Sequence, residues 1–204
     1  MALYTRSAPV GIDIPIAAFQ QFLYSQVKLA WNISDDFKYA CYDRAYRDLI
    51  DKGYVPRSMI PNSQGVLEYA TINFDPETNW AVSFFSVADQ TKIIMNRTSS
   101  SQMALIFGVN LGTADHPTIK PTVLDHRPDE EVRNDIERIC YTPRFDFQIN
   151  SIDTGYEYVF RDYKGMIDRD KTQYRDWQPL RVFRINMELQ YALEDCYQPV
   201  QNSF

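Results

Sequence analysis

The stretch Phe183-Arg-Ile-Asn-Met-Glu-Leu-Gln-Tyr191 alternates apolar and polar side chains without interruption, and it decides the fold class. Because successive side chains of a β-strand point to opposite faces, this period of two predicts a strand with one face in a core. We expect the other face to lie in water or against a partner. The polar side chains on that face are Arg184, Asn186, Glu188 and Gln190.

Further strands are predicted upstream, where short apolar runs between Tyr54 and Leu111 are separated by turn residues. The run from Met103 to Leu111 alternates large side chains with smaller ones, which predicts a strand covered on one face and partly on the other. Its predicted partner is the run from Trp80 to Val87. The predicted turns are 61–65, 75–79 and 88–90, and a later strand is predicted from the alternation of Phe145, Phe147 and Ile149.

Two helices are predicted in the first quarter of the chain, after an extended lead over 1–14 that contains Pro9 and Gly11. The first follows Pro15, because proline is well tolerated at the first helical position. The second is predicted over 35–51, ending before Gly53. The stripes expected to be buried are Ile16, Phe19, Leu23, Val27 and Ala30 in the first helix, and Phe37, Cys41, Ala45 and Leu49, with Tyr42 and Tyr46, in the second.

Two more helices are predicted in the second half. Pro128 begins one of them, and the acidic residues 129–131 complement the positive end of its dipole. The capping box Thr154-x-x-Glu157 predicts a short helix that continues to Tyr163. The buried stripe of the Pro128 helix is predicted to be Val132, Ile136 and Ile139, and Cys140 beside it is expected to be a small core residue.

The order of these elements predicts an α+β fold, with a mainly antiparallel sheet flanked by helices. A length of 204 residues fits one domain. We therefore predict a single α+β domain over 1–204, with the extended lead at 1–14, a long loop or arm at 164–180 before the last strand, and a C-terminal tail at 192–204.

The segment Lys164 to Leu180 shows neither a helical nor a strand period, and loops of this length without structure are usually functional. It is rich in the residue types that are enriched at protein interfaces. One interpretation is an arm that contacts another subunit, and the other is a solvated loop whose Trp177 folds back on the core. The predicted subunit-interface residues are Met166, Ile167, Arg169, Tyr174, Arg175 and Trp177.

Charge and composition exclude several function classes. A formal net charge of −6 argues against a protein that wraps nucleic acid through its phosphates. Three cysteines without a CxxC spacing, together with two histidines, argue against a zinc ribbon or finger, and we expect the cysteines to be reduced. The longest uncharged stretch, Thr98 to Ala114, is too polar for a membrane span, and the N-terminus does not resemble a signal peptide. We therefore expect synthesis in a cytoplasm and no membrane partner.

The common signatures of nucleotide binding, serine hydrolases and zinc proteases are absent from the sequence. The pairs Asp115-His116 and Asp125-His126 have ligand types suited to a metal-dependent hydrolase, but neighbouring side chains of an extended chain diverge. Our preferred interpretation is that Asp125 caps the following helix and that both imidazoles lie near the surface. We predict no enzymatic activity, no cofactor and no metal site.

Four blocks of the sequence follow one another across most of the chain: VGIDIPIAAFQQFLY at 10–24, DHRPDEEVRNDIERI at 125–139, TGYEYVF at 154–160 and DWQPLRVFRINMEL at 176–189. The residues of these blocks and their order along the chain resemble those of the tail-completion or neck ring proteins of tailed bacteriophages, especially those of crAss-like phages. The resemblance implies a helix-flanked sheet and a structural protein with no catalytic residues.

The same resemblance implies a head-to-tail connector in the virion, a homo-oligomeric ring of six or twelve copies between portal and tail. Its partners would be further copies of itself and the adjoining neck, portal or tail proteins. Phage DNA would pass through without specific binding, which suits an acidic surface because like charges repel. A cytoplasmic adaptor domain stays open as an alternative, as does a metal-dependent hydrolase.

Overall fold

The computed structural model of the protein describes residues 2–6, 8–31, 39–50, 53–62, 64–72, 74, 81–94, 98–110, 128–168 and 180–192. Eight strands and four helices lie within these ranges. In chain order they are β1 (Ala2–Tyr4), α1 (Asp13–Ala30), β2 (Tyr39–Ile50), β3 (Gly53–Pro61), β4 (Leu67–Thr71), β5 (Ala81–Ile94), β6 (Thr98–Asn110), α2 (Pro128–Cys140), β7 (Phe147–Asp153), α3 (Tyr156–Val159), α4 (Lys164–Asp168) and β8 (Leu180–Ala192).

All eight strands belong to one sheet, in the order β4-β3-β2-β5-β6-β8-β7, with β1 pairing alongside β2. The pairs β1–β2 and β2–β5 are parallel, and the other five pairs are antiparallel. The predicted α+β class with a mainly antiparallel sheet is therefore confirmed. Within the described ranges, β4 and β7 form the two ends of the sheet.

Strand β8 confirms the alternation that predicted it. Its apolar side chains lie in the same core as those of the neighbouring strand β6, with Phe183 paired to Phe107 and Ile185 to Leu105. The polar face differs from the expectation of water or a partner, because Arg184 and Asn186 are only 5% and 8% exposed. The chain's own residues around α3 cover this part of the face, and Arg184 donates a hydrogen bond to the Val159 carbonyl.

The sheet has a hydrophobic core on each face, which makes the fold three layers deep. On one face α1 and α2 pack against the sheet, and their buried side chains join those of β2, β5, β6 and β8. On the other face the segments around α3 and α4 close a second core, whose non-sheet members are Ile72, Phe74, Val159, Phe160, Tyr163 and Met166. Phe74 packs directly over Gly108, where a Cβ atom would lie only 2.4 Å from the Phe74 ring.

Helix α1 buries the predicted stripe at four of its five positions: Ile16, Phe19, Leu23 and Val27. The fifth, Ala30, is exposed at the last turn. The helix begins at Asp13, so Pro15 is its third residue and not its first. Proline is tolerated there because the first N–H groups of a helix have no acceptor within the helix. The lead also differs from the expectation, since part of it forms strand β1.

The predicted helix over 35–51 is wrong where the structure describes it, because 39–50 form strand β2. The first residues of β2, Tyr39 to Asp43, are buried without interruption, since both faces of this central strand are covered. A strand of this kind shows no period of two. The spacing of four between the apolar residues of this segment does not reflect one buried helix face. An irregularity between Cys41 and Arg44 places the Cys41 side chain in the core on one face of the sheet and the Ala45 side chain in the core on the other. Phe37 lies outside the described residues.

The predicted turns had different outcomes. The turn at 61–65 joins β3 to β4, where the Asn62 side chain accepts hydrogen bonds from the N–H groups of Gln64 and Val66. Gly65 there has a φ of 78°, which favours glycine. The turn predicted at 88–90 is instead part of β5, at a shift of the β5–β6 register between Val87 and Thr91. Residues 75–79 lie outside the described ranges.

Helix α2 and strand β7 follow the prediction. Val132 and Ile136 are buried, and Ile139 packs partly buried against the same core. Phe145 also packs there, just before β7 begins at Phe147.

The prediction of a capping box at Thr154 is wrong. Gly155 stands at the cap of α3 without a side-chain cap hydrogen bond, and α3 ends at Val159, before Tyr163. The segment that was expected to lack structure begins with α4, which packs on β3 through Gly165 and Gly53. A Cβ on Gly165 would lie 2.8 Å from the Gly53 carbonyl group, so this close approach requires glycine.

Candidate functional site

The structure separates the predicted interface residues into three groups. Met166 is 4% exposed and belongs to the second core, so this member of the prediction is corrected to a packing residue. Ile167 lies in α4, and the placement of its side chain is not described. The remaining four, Arg169, Tyr174, Arg175 and Trp177, lie outside the described residues.

The acid–imidazole pairs at 115–116 and 125–126 also lie outside the described ranges. Within those ranges, no group of three or more His, Cys, Asp or Glu side chains is arranged to hold a metal ion. Among the described helices, none combines the length and the hydropathy that a membrane-spanning segment needs.

One buried polar cluster lies between α1 and the sheet. The Gln20 amide donates to the Tyr42 carbonyl at 2.5 Å, and the Cys41 thiol donates to Gln20 Oε1 at 2.8 Å. The hydroxyls of Tyr39 and Ser83 are 2.8 Å apart. Burial raises the pKa of the Cys41 thiol to about 12, so the thiolate that nucleophilic chemistry needs is disfavoured. The cluster therefore satisfies polar groups inside the core.

A second polar cluster lies on the opposite face of the sheet. The Arg184 guanidinium contacts Asp162 Oδ2 at 2.7 Å and donates to Asn186 Oδ1 at 2.7 Å. The Asn186 amide in turn donates to Asp153 Oδ2 at 2.8 Å, and Ser86 donates to Asp162 at 3.0 Å. This network pairs a buried arginine with the acceptors that its burial requires.

The charge state of Asp162 follows from that pairing. Partial burial by itself would raise the pKa of the Asp162 carboxyl, but the Arg184 charge and the hydrogen bonds from Arg184 and Ser86 outweigh it. The net result is a pKa below the ordinary value. A carboxylate held ionised in this way anchors Arg184 and is unsuited to act as a general acid near neutral pH.

Two adjoining cavities open beside this network, with volumes of about 260 and 420 Å³. Both are lined by Arg47, Val87 and Asp89, at the irregularity of β5. Arg47 forms an ion pair with Asp89, which raises the Arg47 pKa and keeps this side chain engaged within the chain. The cavities are therefore polar clefts between ion-paired side chains.

A third feature lies at the exposed end of the sheet and consists of alternating arginines and tyrosines on β2, β3, β4 and the N-terminal segment. The Arg6 and Arg44 guanidinium carbons lie 5.1 and 5.0 Å from the centre of the Tyr46 ring. Arg57 lies 4.5 Å from the centre of the Tyr69 ring, and the two rings are 6.4 Å apart. We call these five residues, Arg6, Arg44, Tyr46, Arg57 and Tyr69, the arginine–tyrosine surface.

Two buried carboxyl groups, Asp13 and Asp43, lie beneath this surface. Arg6 contacts Asp13 at 3.2 Å through its side chain and donates its backbone N–H to Asp43 at 2.6 Å. Burial raises the pKa of Asp43 to about 6; the Arg6 N–H opposes the shift and the Asp13 charge adds to it. The Oδ1 atom of each aspartate has no hydrogen-bond partner within the described part of the chain.

Several exposed apolar side chains lie on the strands that carry the arginine–tyrosine surface and in the turn between β3 and β4. Of the thirteen large hydrophobic residues that are exposed in the described ranges, six lie between 49 and 69. The six are Leu49, Tyr54, Met59, Val66, Leu67 and Tyr69.

The sequence prediction missed this surface because it placed 35–51 in a helix. In a strand Arg44 and Tyr46 share a face, whereas in a helix they are separated by about 200° of rotation. The repeated tyrosines and arginines from Tyr42 to Arg57 are the signal that could have indicated the surface.

No protein-family model matches the chain, and no curated protein matches its sequence.

Proposed function

We propose that the protein is a structural subunit of a virion, which assembles with copies of itself into a ring in the neck or tail of a tailed bacteriophage. The ring would join the portal to the tail and let DNA pass through. The observation that carries the proposal is the arginine–tyrosine surface together with the exposed apolar side chains on strands β2 to β4 and in the turn before β4. The resemblance of the four sequence blocks to neck ring proteins points to the same role.

The composition of this surface supports an interface between proteins. Tyrosine and arginine are the residues that most often dominate binding energy at interfaces, and exposed aliphatic side chains gain free energy when they are buried. Strand β4 adds an open sheet edge, since within the described ranges it pairs with β3 alone. An exposed edge of this kind favours association unless something covers it.

The overall charge supports passage of DNA without specific binding. A net charge of −6 repels phosphate, so an acidic channel would keep the genome from adhering to its wall. We propose that the protein is made in the host cytoplasm and then becomes part of the virion. Its partners would be the adjoining portal, neck or tail proteins.

We propose no catalytic role and no cofactor. The buried thiol of Cys41 and the ion-paired carboxylate of Asp162 are both explained by packing and charge pairing. Elemental analysis of the purified chain tests the metal alternative directly. A stoichiometric metal that is lost when His116 and His126 are both replaced by alanine would contradict this part of the proposal.

Electron microscopy of the purified chain in negative stain tests the ring. We expect closed particles with a central opening, and we expect Tyr69→Ala to reduce their number because it removes an aromatic anchor from the surface. Tyr158→Ala is the matched control, because Tyr158 is exposed on α3, away from this surface. Isolated monomers in the parent sample would instead support an adaptor domain.

A further inference from the structure

We infer that residues 2–6 form a strap that leaves the sheet when Asp43 loses its proton. We call this segment, which consists of strand β1 and the two residues after it, the N-terminal strap. The inference goes beyond the proposed ring and does not depend on it, since every group that it uses belongs to one chain.

The N-terminal strap is held by a small number of contacts. Its strand has three residues, which pair in parallel with residues 40–42 of β2, and its Tyr4 ring stacks on the Tyr42 ring at 4.8 Å. The Arg6 side chain contacts Asp13 at 3.2 Å. A short strand at a chain terminus opens at a lower free energy than the core does. The strap can therefore leave the sheet while the rest of the fold stays intact.

Asp43 lies against the strap and is held by a neutral donor. Its Oδ2 atom accepts the Arg6 backbone N–H at 2.6 Å, and its Oδ1 atom has no hydrogen-bond partner within the described residues. The two nearby guanidinium groups, of Arg6 and Arg44, contact Asp13 instead, at 3.2 and 3.9 Å. Burial of a charge costs free energy unless a counter-charge contacts it, so the ionised form of Asp43 is poorly stabilised here.

Ionisation of Asp43 therefore favours release of the strap. While the strap is in place, burial raises the pKa of Asp43 to about 6; the Arg6 N–H opposes the shift, and the Asp13 charge adds to it. When the strap leaves, water hydrates the carboxylate, so its pKa returns towards the ordinary value of about 3.9. The attached state thus binds the proton more tightly, and the stability of the attached strap is lost as the pH rises through about 6.

Other charged and titratable groups surround the Asp43 carboxyl. Within the described residues they are Arg6 from the strap, Asp13 from α1, and Cys41, Arg44 and Tyr46 from β2. Arginine keeps its charge throughout the physiological range. Burial raises the pKa of the Cys41 thiol to about 12, so this thiol stays neutral while Asp43 titrates.

Release of the strap uncovers part of the sheet. Strand β1 covers the edge of β2 over 40–42, and the Tyr4 ring covers one face of the Tyr42 ring. An uncovered strand edge is a template for pairing with another extended segment. The strap therefore controls access to this edge according to pH.

Hydrogen–deuterium exchange of the full chain, followed by mass spectrometry at a series of pH values, tests the strap. We expect exchange in peptides that contain residues 2–6, corrected for the intrinsic effect of pH on amide exchange, to become about tenfold faster between pH 5 and pH 7. In Asp43→Asn, which has no titrating group at this position, it should stay constant. Glu157→Gln removes an exposed carboxyl on α3 and should keep the pH dependence of the parent.

Each of the other results overturns the inference. Strap exchange in the parent that stays constant, or becomes slower as the pH rises, contradicts the direction of the switch. A pH dependence that persists in Asp43→Asn assigns the switch to another group. Equal exchange in the strap and in β8 would mean that the strap opens only when the chain unfolds. If Asp43→Asn does not fold, Asp43→Ala takes its place, because it also lacks the titrating group. The ring is judged by the mass of the particles, so either proposal can fail without the other.

Discussion

Asp43 illustrates at the scale of one residue how burial changes the chemistry of a side chain in this protein. The carboxyl group is 2% exposed, and its pKa is raised to about 6 chiefly by that burial. An aspartate in an unfolded chain has a pKa of about 3.9. The folded state therefore binds the Asp43 proton more tightly than the unfolded state does.

The sign of the pH dependence follows from this difference. The contribution of Asp43 to the free energy of unfolding is greatest below pH 4 and is lost as the pH rises through about 6. We expect Asp43→Asn to remove this loss, so that the variant gains stability relative to the parent between pH 4 and pH 7. The gain should reach about 3 kcal/mol at pH 7, because the pKa is raised by about two units and each unit corresponds to about 1.4 kcal/mol.

Urea denaturation of both proteins at a series of pH values measures that gain. Gln148→Ala changes an exposed side chain that does not titrate, so its difference from the parent should stay constant across the series. If the stability curves of Asp43→Asn and the parent run parallel from pH 4 to pH 7, the raised pKa is contradicted.

At the scale of the secondary-structure element, α2 depends on its apolar stripe. Ile136 is fully buried between this helix and the sheet. We expect Ile136→Ala to lower the free energy of unfolding by about 2–5 kcal/mol, because it removes buried methyl groups and leaves a cavity. Asn134→Ala changes an exposed residue of the same helix and should alter stability by no more than about 0.5 kcal/mol. Equal melting temperatures for the two variants would contradict the packing of α2.

Helix α4 and the segment that follows it are expected to have different roles. Met166→Ala should destabilise the fold by about 2–5 kcal/mol, since Met166 belongs to the second core.

Replacement of 169–176 by a Gly-Ser linker should preserve the circular dichroism spectrum and the melting temperature, because stability changes slowly with loop length. It should reduce assembly if Arg169, Tyr174 and Arg175 form the predicted arm. Unchanged assembly in ultracentrifugation would contradict the arm.

The elements also show what local sequence can predict. Helix α2 was predicted correctly because only one of its faces is covered, so its hydrophobic period is visible. Strand β8 was predicted correctly because its apolar and polar side chains alternate, although the residues around α3 cover part of the polar face as well. Strand β2 was predicted as a helix because its first half is covered on both faces, which removes the period of two. The prediction of a turn at 88–90 was wrong because the polar residues there lie in an irregular, exposed part of β5, and exposed strand residues resemble turn residues in composition.

At the scale of the whole molecule, the fold class was predictable but the arrangement of the strands was not. The parallel pairing of β2 with β5 joins strands that a hairpin separates in sequence, and no local period encodes it. The arginine–tyrosine surface has the same origin, because Arg6, Tyr46 and Tyr69 come from three separate segments. The composition of the segment from Lys164 to Leu180 predicts a subunit contact from the sequence alone. The arginine–tyrosine surface could be found only from the structure, where its strands lie side by side.

The mass of the parent chain under native conditions tests the central claim most directly. Native mass spectrometry over a range of concentrations should show one closed species whose mass is an integer multiple of 23.9 kDa, the same at every concentration at which it forms. A closed ring has this property because every subunit surface in it is paired. A single species of 23.9 kDa at every concentration would contradict the account, as would a ladder of oligomers that grows with concentration.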